Sequence, residues 1–243
     1  KKTIFITGAT SGIGKATAEI FAKQGHRLII CGRRKEVLEA LQIQLNNITE
    51  VYSLVFDVRN QQEVQNAINS LPKDWKNIDV LVNNAGNAHG LEPISEANIS
   101  DWDAMMDGNV KGLLYVSQPI IKLMKARNSG HIVNISSVAA RQTYANGTVY
   151  CASKKAVDVI SEGMRLELTE VGIKVTNVQP GAVETDFSKV RFKGDEQRAA
   201  TVYAGYEPLI AEDIADAISY CVNAPDRVSI ADICIYPKAQ AEP

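Results

Sequence analysis

Two side chains in the second half of the chain have the types and the spacing of an acid–base pair. Tyr150 and Lys154 lie four residues apart, so they share one face if residues 149–168 form a helix. A free phenol has a pKa of about 10, and proton transfer near pH 7 requires a shift of roughly 3 units, about 4 kcal/mol. An ammonium group ~4 Å away, at an effective dielectric constant of ~20, supplies about that much.

Neighbouring residues decide how much weight this pair carries, because its spacing is expected by chance about 0.5 times in such a chain. Ser137 follows the apolar segment 132–135, which has the pattern of a strand. Its hydroxyl could hydrogen-bond a substrate oxygen. The alternative is that Ser137 only caps the turn at the end of the strand.

A glycine-rich turn joins the first apolar segment to the first amphipathic one. Residues 7–14 read Thr-Gly-Ala-Thr-Ser-Gly-Ile-Gly. Such a turn lets the backbone approach a pyrophosphate, and the following helix offers free N–H groups and the positive end of its dipole. Three glycines at this spacing are expected by chance about 0.07 times. The turn therefore predicts a dinucleotide site, with a plain strand-to-helix turn as the alternative.

The end of the second predicted strand indicates which dinucleotide would bind. Such sites usually carry an acid about 20 residues further on, or an Arg where the adenosine ribose has a 2′-phosphate. This chain has Arg33 and Arg34 at that turn and no carboxylate. A guanidinium matches a phosphate, and cations would oppose the dipole of a helix that begins there. NADP is therefore favoured over NAD, unless both arginines are only the solvated first turn of a helix.

An acid and an amide-rich segment follow the next two predicted strands. Asp57 and Val58 follow the third strand, where adenine would lie, and residues 83–86 read Asn-Asn-Ala-Gly after the fourth. Each alone could be ordinary turn chemistry. Their positions at consecutive strand ends favour a cofactor wall.

The elements that must position these residues alternate between short apolar segments and segments of helical period. This alternation predicts a doubly wound parallel α/β sheet of about seven strands with helices on both faces, in a single domain over residues 1–243. The predicted strands are 4–7, 28–31, 51–56, 80–82, 132–135, 175–178 and 233–236, and the predicted helices are 16–24, 37–45, 64–71, 102–124, 149–168 and 214–222.

One long irregular region interrupts the alternation. Residues 181–208 follow the sixth predicted strand and carry several charged side chains. An insertion at the carboxyl end of a strand in an open α/β sheet lies where ligands bind. We predict a mobile substrate lid, with a solvated surface loop as the alternative.

Composition argues against several classes of function. The 243 residues carry 26 Lys and Arg against 28 Asp and Glu, a net charge of −2, so no summed field would hold a nucleic acid. The longest apolar runs fall far short of the roughly 20 residues of a membrane helix. The 4 cysteines have no metal-ligand spacing, which predicts free thiols in a reduced, cytoplasmic protein without a metal site.

Together these motifs resemble the short-chain dehydrogenase/reductase family. The resemblance covers residues 3–236 and rests on the segments 7–14, 83–86, 150–154 and 180–185. It implies a Rossmann-like sheet of seven parallel strands and a nicotinamide cofactor. It also implies a catalytic tetrad, which here would be Asn109, Ser137, Tyr150 and Lys154.

The resemblance implies a role for each matching residue. Tyr150 would exchange the proton, Ser137 would polarise the carbonyl, and Asn109 would hold a water of the proton relay. Lys154 would also bind the nicotinamide ribose. The complete set predicted along the cofactor is Gly8, Thr10, Ser11, Gly12, Ile13, Gly14, Arg33, Arg34, Asp57, Val58, Asn84, Ala85, Gly86, Tyr150, Lys154, Pro180, Gly181, Val183 and Thr185.

Within that family, the chain resembles most the NADP-dependent serine and 3-hydroxy acid dehydrogenases. The resemblance rests on segments 71–75, 77–79, 90–93 and 101–102, and especially on the Val-Arg-Phe-Lys-Gly-Asp segment 190–195. Members oxidise the 3-hydroxyl of small acids such as serine, allo-threonine, 3-hydroxypropionate or 3-hydroxyisobutyrate, and reduce the matching semialdehydes. The resemblance implies this reaction in a cytoplasmic homotetramer.

A small carboxylate substrate needs a cation within reach of the nicotinamide. Arg191 in the lid and Arg141 are the candidates, with Lys193 as a third, and each is equally explained as a solvated surface residue. His89 could line the pocket, although a structural or surface role is favoured. Two other functions stay open: a reductase of bulkier ketones or acyl thioesters, and a non-catalytic NADP-binding sensor or scaffold. The complete tetrad argues against the sensor.

Overall fold

The central sheet has seven strands, and each is parallel to its neighbours. The computed structural model describes residues 1–195, 197–198, 205 and 207–241. The strands are β1 (Thr3–Thr7), β2 (Arg27–Gly32), β3 (Val51–Val55), β4 (Val80–Asn83), β5 (Gly130–Ile135), β6 (Ile173–Pro180), β7 (Val183–Glu184), β8 (Leu209–Ile210) and β9 (Asp232–Ile235). The sheet has the order β3-β2-β1-β4-β5-β6-β9, and β7 and β8 form a separate parallel pair. The predicted seven-stranded parallel fold is confirmed.

Helices cover both faces of this sheet. The described helices are α1 (Gly12–Lys23), α2 (Lys35–Asn46), α3 (Gln61–Ser70), α4 (Ile99–Met106), α5 (Gly112–Lys125), α6 (Thr148–Leu168), α7 (Phe187–Arg191) and α8 (Ala211–Asn223). Helices α1, α2 and α8 pack on one face, and α3, α5 and α6 pack on the other. The doubly wound arrangement follows.

The strands are apolar because both of their faces are covered. In β1, Ile4 and Ile6 project into one core and Phe5 projects into the other, and all three are fully buried. Successive side chains of a strand point to opposite faces, so a strand buried on both faces has a continuous apolar sequence.

The segment predicted as one helix over 102–124 contains a wider turn. Helix α4 ends at Met106, residues Asp107–Lys111 form a π-helical turn, and α5 begins at Gly112. The turn carries Asn109, which is buried. Turns of this kind are frequent at functional sites. The apolar periodicity of the sequence does not report one inserted backbone residue, so the prediction missed it.

Short elements order part of the insertion that follows β6. Leu209 N donates to Ala182 O at 3.0 Å where β8 meets β7, so the two ends of the insertion lie side by side. Helix α7 occupies its first half. Of the predicted lid 181–208, residues 196, 199–204 and 206 lie outside the described residues.

The loops that carry the predicted site meet at the carboxyl edge of the sheet. The strand order reverses beside β1, because β2 follows β1 on one side and β4 lies on the other. Ligands of open α/β sheets bind at this switch point. The glycine-rich turn after β1 and the Asn-Asn segment after β4 are neighbours there.

The thiols, the helices and the potential metal ligands add three further observations. All four cysteines are free, and three of them are buried. Within the described ranges, no helix combines the length and the apolar character needed to cross a bilayer. Among the same residues, His, Cys, Asp and Glu form no group of three or more that could hold a metal ion.

Candidate active site

Tyr150 and Lys154 lie one turn apart on α6, buried under the loops at the carboxyl edge. Tyr150 packs with Ala88, Met105 and Ala139 and is 8% exposed. Lys154 Nζ donates to Ile135 O at 3.0 Å and lies 6.0 Å from the centre of the Tyr150 ring. The predicted pair is therefore brought together at the end of β5.

Burial shifts the pKa of both side chains in the direction that favours the neutral form. It lowers the pKa of Lys154 to about 8, against the charge of Asp158, which raises it. Burial also raises the pKa of Tyr150, while a hydrogen bond with Ser137 and the charge of Arg191 pull it down. The sequence predicted a lowered phenol pKa caused by Lys154. Instead, desolvation outweighs the Ser137 hydrogen bond and the charge of Arg191, so the pKa of Tyr150 is raised.

Ser137 connects β5 to the Tyr150 hydroxyl. Its Oγ accepts from Ala139 N at 3.1 Å, so it caps the short turn that follows the strand. The same hydroxyl lies 3.4 Å from Pro180 O and is within hydrogen-bonding reach of Tyr150. Ser137 therefore caps the turn and also faces the phenol, and its contact with a substrate oxygen stays a prediction.

Asn109 is held in the π-helical turn by hydrogen bonds on both ends of its amide. Oδ1 accepts from Asn87 N at 2.7 Å, and Nδ2 donates to Asn87 O at 2.8 Å and to Ser153 Oγ at 3.0 Å. Gly86 lies against Asn109 and Lys154. Both amide hydrogens are used, so a relay water here would bind Oδ1 or the main-chain carbonyl.

The glycine-rich turn is tied to the loop after β4. Thr7 Oγ1 accepts from Asn84 N and Ala85 N, both at 3.0 Å, and Asn84 Nδ2 donates to Gly8 O at 3.2 Å. A Cβ on Gly14 would lie 2.3 Å from Gly8 O, so only glycine permits this close turn.

The rest of the turn faces the cleft where a dinucleotide would bind. Ser11 stands in extended conformation immediately before α1, and Ile13 packs on the core. Gly12 lies against the methyl group of Thr185, so the turn meets the loop after β6. A glycine cradle at the N-terminus of a twelve-residue helix fits a pyrophosphate.

Three arginines converge at the adenosine end of this cleft. Arg34 NH2 donates to Thr10 Oγ1 at 3.0 Å, and Arg33 NH1 lies 3.8 Å from Asp57 Oδ2. Arg59 donates hydrogen bonds to both carboxylate oxygens of Asp57, from NH2 to Oδ2 at 2.6 Å and from Nε to Oδ1 at 3.1 Å. Burial opposes the effect, but the Arg59 hydrogen bonds hold the pKa of Asp57 below its usual value. The donor set fits a phosphorylated ribose.

Arg59 is a site residue that the sequence reasoning missed. It follows Asp57 and Val58 directly, and a third cation next to the predicted adenine segment was the available signal. Val58 packs against Gly112 at the start of α5, which holds this segment in place.

The loop after β6 is held by the C-terminal segment. Ala182 N donates to Gln240 Oε1 at 2.8 Å, and Gly181 N donates to Ile235 O at 2.7 Å. Val183 pairs with Leu209 in the β7–β8 ladder. Gln240 was also missed, because 58 residues separate it from Ala182 and no local pattern connects them.

Arg191 lies beside Tyr150. Its guanidinium carbon is 5.6 Å from the Tyr150 ring centre and 5.5 Å from that of Tyr144, and Nε donates to Gly90 O at 3.1 Å. A pocket opens here, lined by Arg191, Tyr150, Trp102 and His89 among others. The guanidinium of Arg191 beside the buried phenol suits an anion.

The other candidate anchors are directed elsewhere. Arg141 is exposed, and its NH1 lies 3.4 Å from Gln179 Oε1 on β6. Lys193 Nζ pairs with Asp101 Oδ2 at 2.9 Å. His89 lines the cavity, and partial burial lowers its pKa. Of the three cations, Arg191 is the one that packs against the phenol.

Sequence comparison identifies the family of this chain. Residues 2–196 match the family model for short chain dehydrogenases. The NADP-dependent 3-hydroxy acid dehydrogenase of Escherichia coli K12 is 40% identical over 239 residues, covering 98% of this chain and 96% of the relative. The enzyme of the same name from Schizosaccharomyces pombe is 40% identical over 242 residues, covering 98% and 93%. The chain belongs to the short-chain dehydrogenase family.

Structural comparison agrees as well. The closed form of serine dehydrogenase complexed with NADP⁺ superposes with a TM-score of 0.94 at 40% identity, covering 98% of this chain and 96% of that one. Serine dehydrogenase from Escherichia coli gives 0.85 at 36% identity, covering 98% and 99%.

Proposed function

We propose that this protein is an NADP-dependent dehydrogenase of small 3-hydroxy acids, such as serine, allo-threonine, 3-hydroxypropionate or 3-hydroxyisobutyrate. The observation that carries the proposal is the position of Arg191, whose guanidinium carbon lies 5.6 Å from the Tyr150 ring centre in a pocket that both residues line. The names of the relatives and of the structural neighbours above support the same substrate class.

Ser137 and Tyr150 would act together on the reacting oxygen. Their hydroxyls are within hydrogen-bonding reach of each other, so both can contact one substrate oxygen. Ser137 would hold that oxygen, and Tyr150 would take its proton in oxidation or return a proton in reduction. NADP, when bound, supplies or accepts the hydride at its nicotinamide ring.

Lys154 and Arg191 would stabilise the phenolate that forms during proton transfer. The pKa of Lys154 is lowered to about 8, so near neutral pH most of this side chain is charged. Arg191 already lowers the pKa of Tyr150 across the ring face. Asn109 would keep Lys154 in place through the Gly86 segment, and it would carry a relay water on its remaining acceptor sites.

Arg191 would bind the substrate carboxylate. A guanidinium forms forked hydrogen bonds to a carboxylate. The short distance between Arg191 and Tyr150 suits a 3-hydroxy acid, in which one carbon separates the carboxylate from the carbon that carries the hydroxyl. Arg141 was the rival candidate, and its contact with Gln179 favours Arg191.

The phosphorylated ribose of NADP would lie among Arg33, Arg34 and Arg59. Arg33 and Arg34 flank the turn after β2, and the Asp57–Arg59 pair lies beside them after β3. Residues Gly8–Gly14 would hold the pyrophosphate, and the loop from Pro180 to Thr185 would cover the nicotinamide.

The assembly and the lid belong to the same proposal. By the family resemblance, residues 1–243 would form one domain of a cytoplasmic homotetramer, with residues 181–208 as its substrate lid. A reductase of bulkier ketones or acyl thioesters is the alternative within the family, and the guanidinium of Arg191 beside Tyr150 favours a small acid over it. A non-catalytic NADP sensor is the alternative outside it.

A rate panel with NADP⁺ tests the proposal. Serine, 3-hydroxyisobutyrate, an uncharged secondary alcohol and a 3-hydroxyacyl thioester are compared at equal concentration. The hydroxy acids are expected to react fastest. Equal rates for the acid and the alcohol would remove the role of Arg191, faster turnover of the thioester would favour the bulky-substrate reductase, and no turnover beside tight NADPH binding would favour the sensor.

A further inference from the structure

A carboxylate behind the catalytic residues gathers hydrogen bonds from three directions. Asp158 Oδ1 accepts from Ser136 Oγ at 2.7 Å and from Asn177 Nδ2 at 2.8 Å, and Oδ2 accepts from Gln179 Nε2 at 3.0 Å. Its side chain is 15% exposed. Little water reaches this carboxylate, so its charge depends on the three donors from Ser136, Asn177 and Gln179. The proposed reaction gives Asp158 no role.

The partners of Asp158 are chain neighbours of the proposed catalytic and cofactor residues. Ser136 precedes Ser137 at the end of β5, and Gln179 precedes Pro180 at the end of β6. Asp158 itself lies one helical turn after Lys154 on α6. One carboxylate thus fastens the ends of two strands to the helix that carries the phenol and the ammonium.

Asp158 is also the charge that acts on Lys154. Burial alone lowers the pKa of Lys154, and Asp158 opposes that shift. On its own helix, Asp158 also faces Lys155 Nζ, 4.0 Å from Oδ2. From β9, Asp232 shares Asn177 with it and pairs with Arg165 at 3.3 Å.

Further charges around this network lie on α6, on the turn after it and on the loop after β5. Glu162 and Glu170 line the same surface groove as Asp158 and Asp232. Arg141 reaches the network through Gln179, at 3.4 Å. Lys155, Arg165 and Arg141 are at least partly solvated, so their charges are screened, whereas Lys154 is buried and the Asp158 side chain is only 15% exposed.

We infer that Asp158 is a positioning residue of the proposed reaction, which orients Ser137 through Ser136 and keeps Lys154 charged. The inference rests on the proposed function. Without this carboxylate, the Ser136 and Gln179 donors lose their shared acceptor, and Lys154 retains only the desolvation that favours its neutral form.

Two variants separate charge from shape. Asp158→Asn keeps the size of the side chain and loses its charge, and Asp158→Glu keeps the charge and changes its reach. For Asp158→Asn, kcat for semialdehyde reduction should fall roughly 10- to 100-fold with little change in KM, because Ser137 shifts and Lys154 is less charged. The alkaline limb of its pH profile should move down by about 0.5 to 1 pH unit. Asp158→Glu should lower kcat but leave that limb in place.

A second measurement does not depend on turnover. The pKa of Lys154 is followed by NMR of protein labelled at the lysine ε-carbons, with the resonance assigned by Lys154→Arg. It should fall by about 0.5 to 1 unit in Asp158→Asn and stay unchanged in Asp232→Asn, the matched control that also bonds Asn177. A lower melting temperature with an unmoved Lys154 pKa and an unmoved pH limb would overturn the inference and leave Asp158 a purely structural residue.

The two proposals fail in different ways. If hydroxy acids are not turned over but Asp158→Asn shifts the Lys154 pKa, the substrate class is wrong and the action of Asp158 on Lys154 stands. If hydroxy acids are turned over and the pKa does not shift, the role of Asp158 is wrong and the proposed function stands.

Discussion

The carboxyl edge of the sheet and the insertion after β6 are held together by different forces. At the edge, buried amides and hydroxyls bond to one another: Asn83 Nδ2 donates to Ser117 Oγ and Asn134 Oδ1, and Asn134 Nδ2 donates to Ser161 Oγ. In the insertion, Lys193 pairs with Asp101 with 61% of the lysine side chain exposed. Buried hydrogen bonds fix geometry, whereas exposed ion pairs contribute only about 0 to 1 kcal/mol.

This difference matches two tasks. The proposed proton transfer would need Ser137, Tyr150 and Lys154 held in fixed positions, and buried hydrogen bonds suit that need. The proposed lid would have to open, and weak exposed contacts would make opening cost little free energy. Arg191 belongs to the insertion and connects the two regions through Gly90. Gly90 N donates to Arg191 O at 3.0 Å, and Arg191 Nε donates to Gly90 O at 3.1 Å.

Removing the phenol should break the function of the edge without disturbing its structure. Tyr150→Phe should lower kcat about 10³-fold, because the positioned proton donor is lost. Fluorescence titration should show nearly unchanged NADPH affinity, since the ring still packs against Phe187. Retention of substantial activity would rule out Tyr150 as the proton donor.

Acid should destabilise the sheet through His131 on β5. Burial lowers its pKa to about 3, and Thr176 Oγ1 donates to Ile230 O, so His131 Nε2–H donates to Thr176 Oγ1 and the ring is neutral. The unfolded chain takes up a proton below its pKa near 6.5, so the free energy of unfolding falls by about 1.4 kcal/mol per pH unit between about pH 6.5 and 3.

Urea unfolding from pH 7 to pH 4.5 measures this effect. His131→Gln keeps a donor toward Thr176 and cannot titrate, so its unfolding free energy should depend less on pH than that of the wild type. Equal pH dependence in both proteins would show that His131 titrates normally.

Neutralising Arg191 should impair the region that joins edge and insertion. Arg191→Gln should raise KM for a hydroxy acid roughly 10- to 100-fold, the value of hydrogen bonds to a charged group. KM for an uncharged secondary alcohol should not change, and Arg141→Gln should change neither value. If Arg141→Gln raises KM instead, the anchor is the other arginine.

Gln240 should matter through the loop that it holds. Gln240→Ala removes the acceptor for Ala182 N, worth about 1 kcal/mol, so the Kd of NADPH should rise about fivefold. The neighbouring exposed Lys238→Ala is the control and should bind NADPH as the wild type does. Equal affinities for the two variants would mean that the C-terminal segment does not position the loop.

The smallest effect is expected at the exposed pair of the insertion. Lys193→Ala should change kcat/KM less than about twofold at physiological salt, because its ion pair with Asp101 is largely solvated. Any effect should vanish at high salt in steady-state assays. A large, salt-independent loss would show that the insertion is as tightly held as the edge.

Local patterns predicted the features that depend on neighbours in the chain. The seven strands, the glycine-rich turn and the one-turn spacing of Tyr150 and Lys154 are set by periods of two to four residues and by the small size of glycine. The structure places each of them as predicted. The π-helical turn at Asn109 was missed, because one extra backbone residue shifts the apolar face at a single point, and the short flanking segments do not reveal that shift.

Contacts between distant segments could not be predicted from those patterns. From the sequence, Arg141 and Arg191 were equally good candidates to bind the substrate carboxylate. The structure distinguishes them, because the loop that carries Arg191 packs against Tyr150. The contacts of Arg59 and Gln240 were missed, since Gln240 meets Ala182 only through the path of the C-terminal segment over β6.

The sequence by itself determined the class of fold, the glycine-rich turn and the one-turn spacing of Tyr150 and Lys154, because these follow from periodicity and from side-chain chemistry at short spacing. The catalytic tetrad is what the family resemblance implies, and it stays a prediction. Only the tertiary structure decided that Arg191 faces Tyr150, that Asp158 stands behind Lys154, and that burial raises rather than lowers the pKa of the phenol. The physical reason is that desolvation and long-range contacts arise only when distant segments pack together.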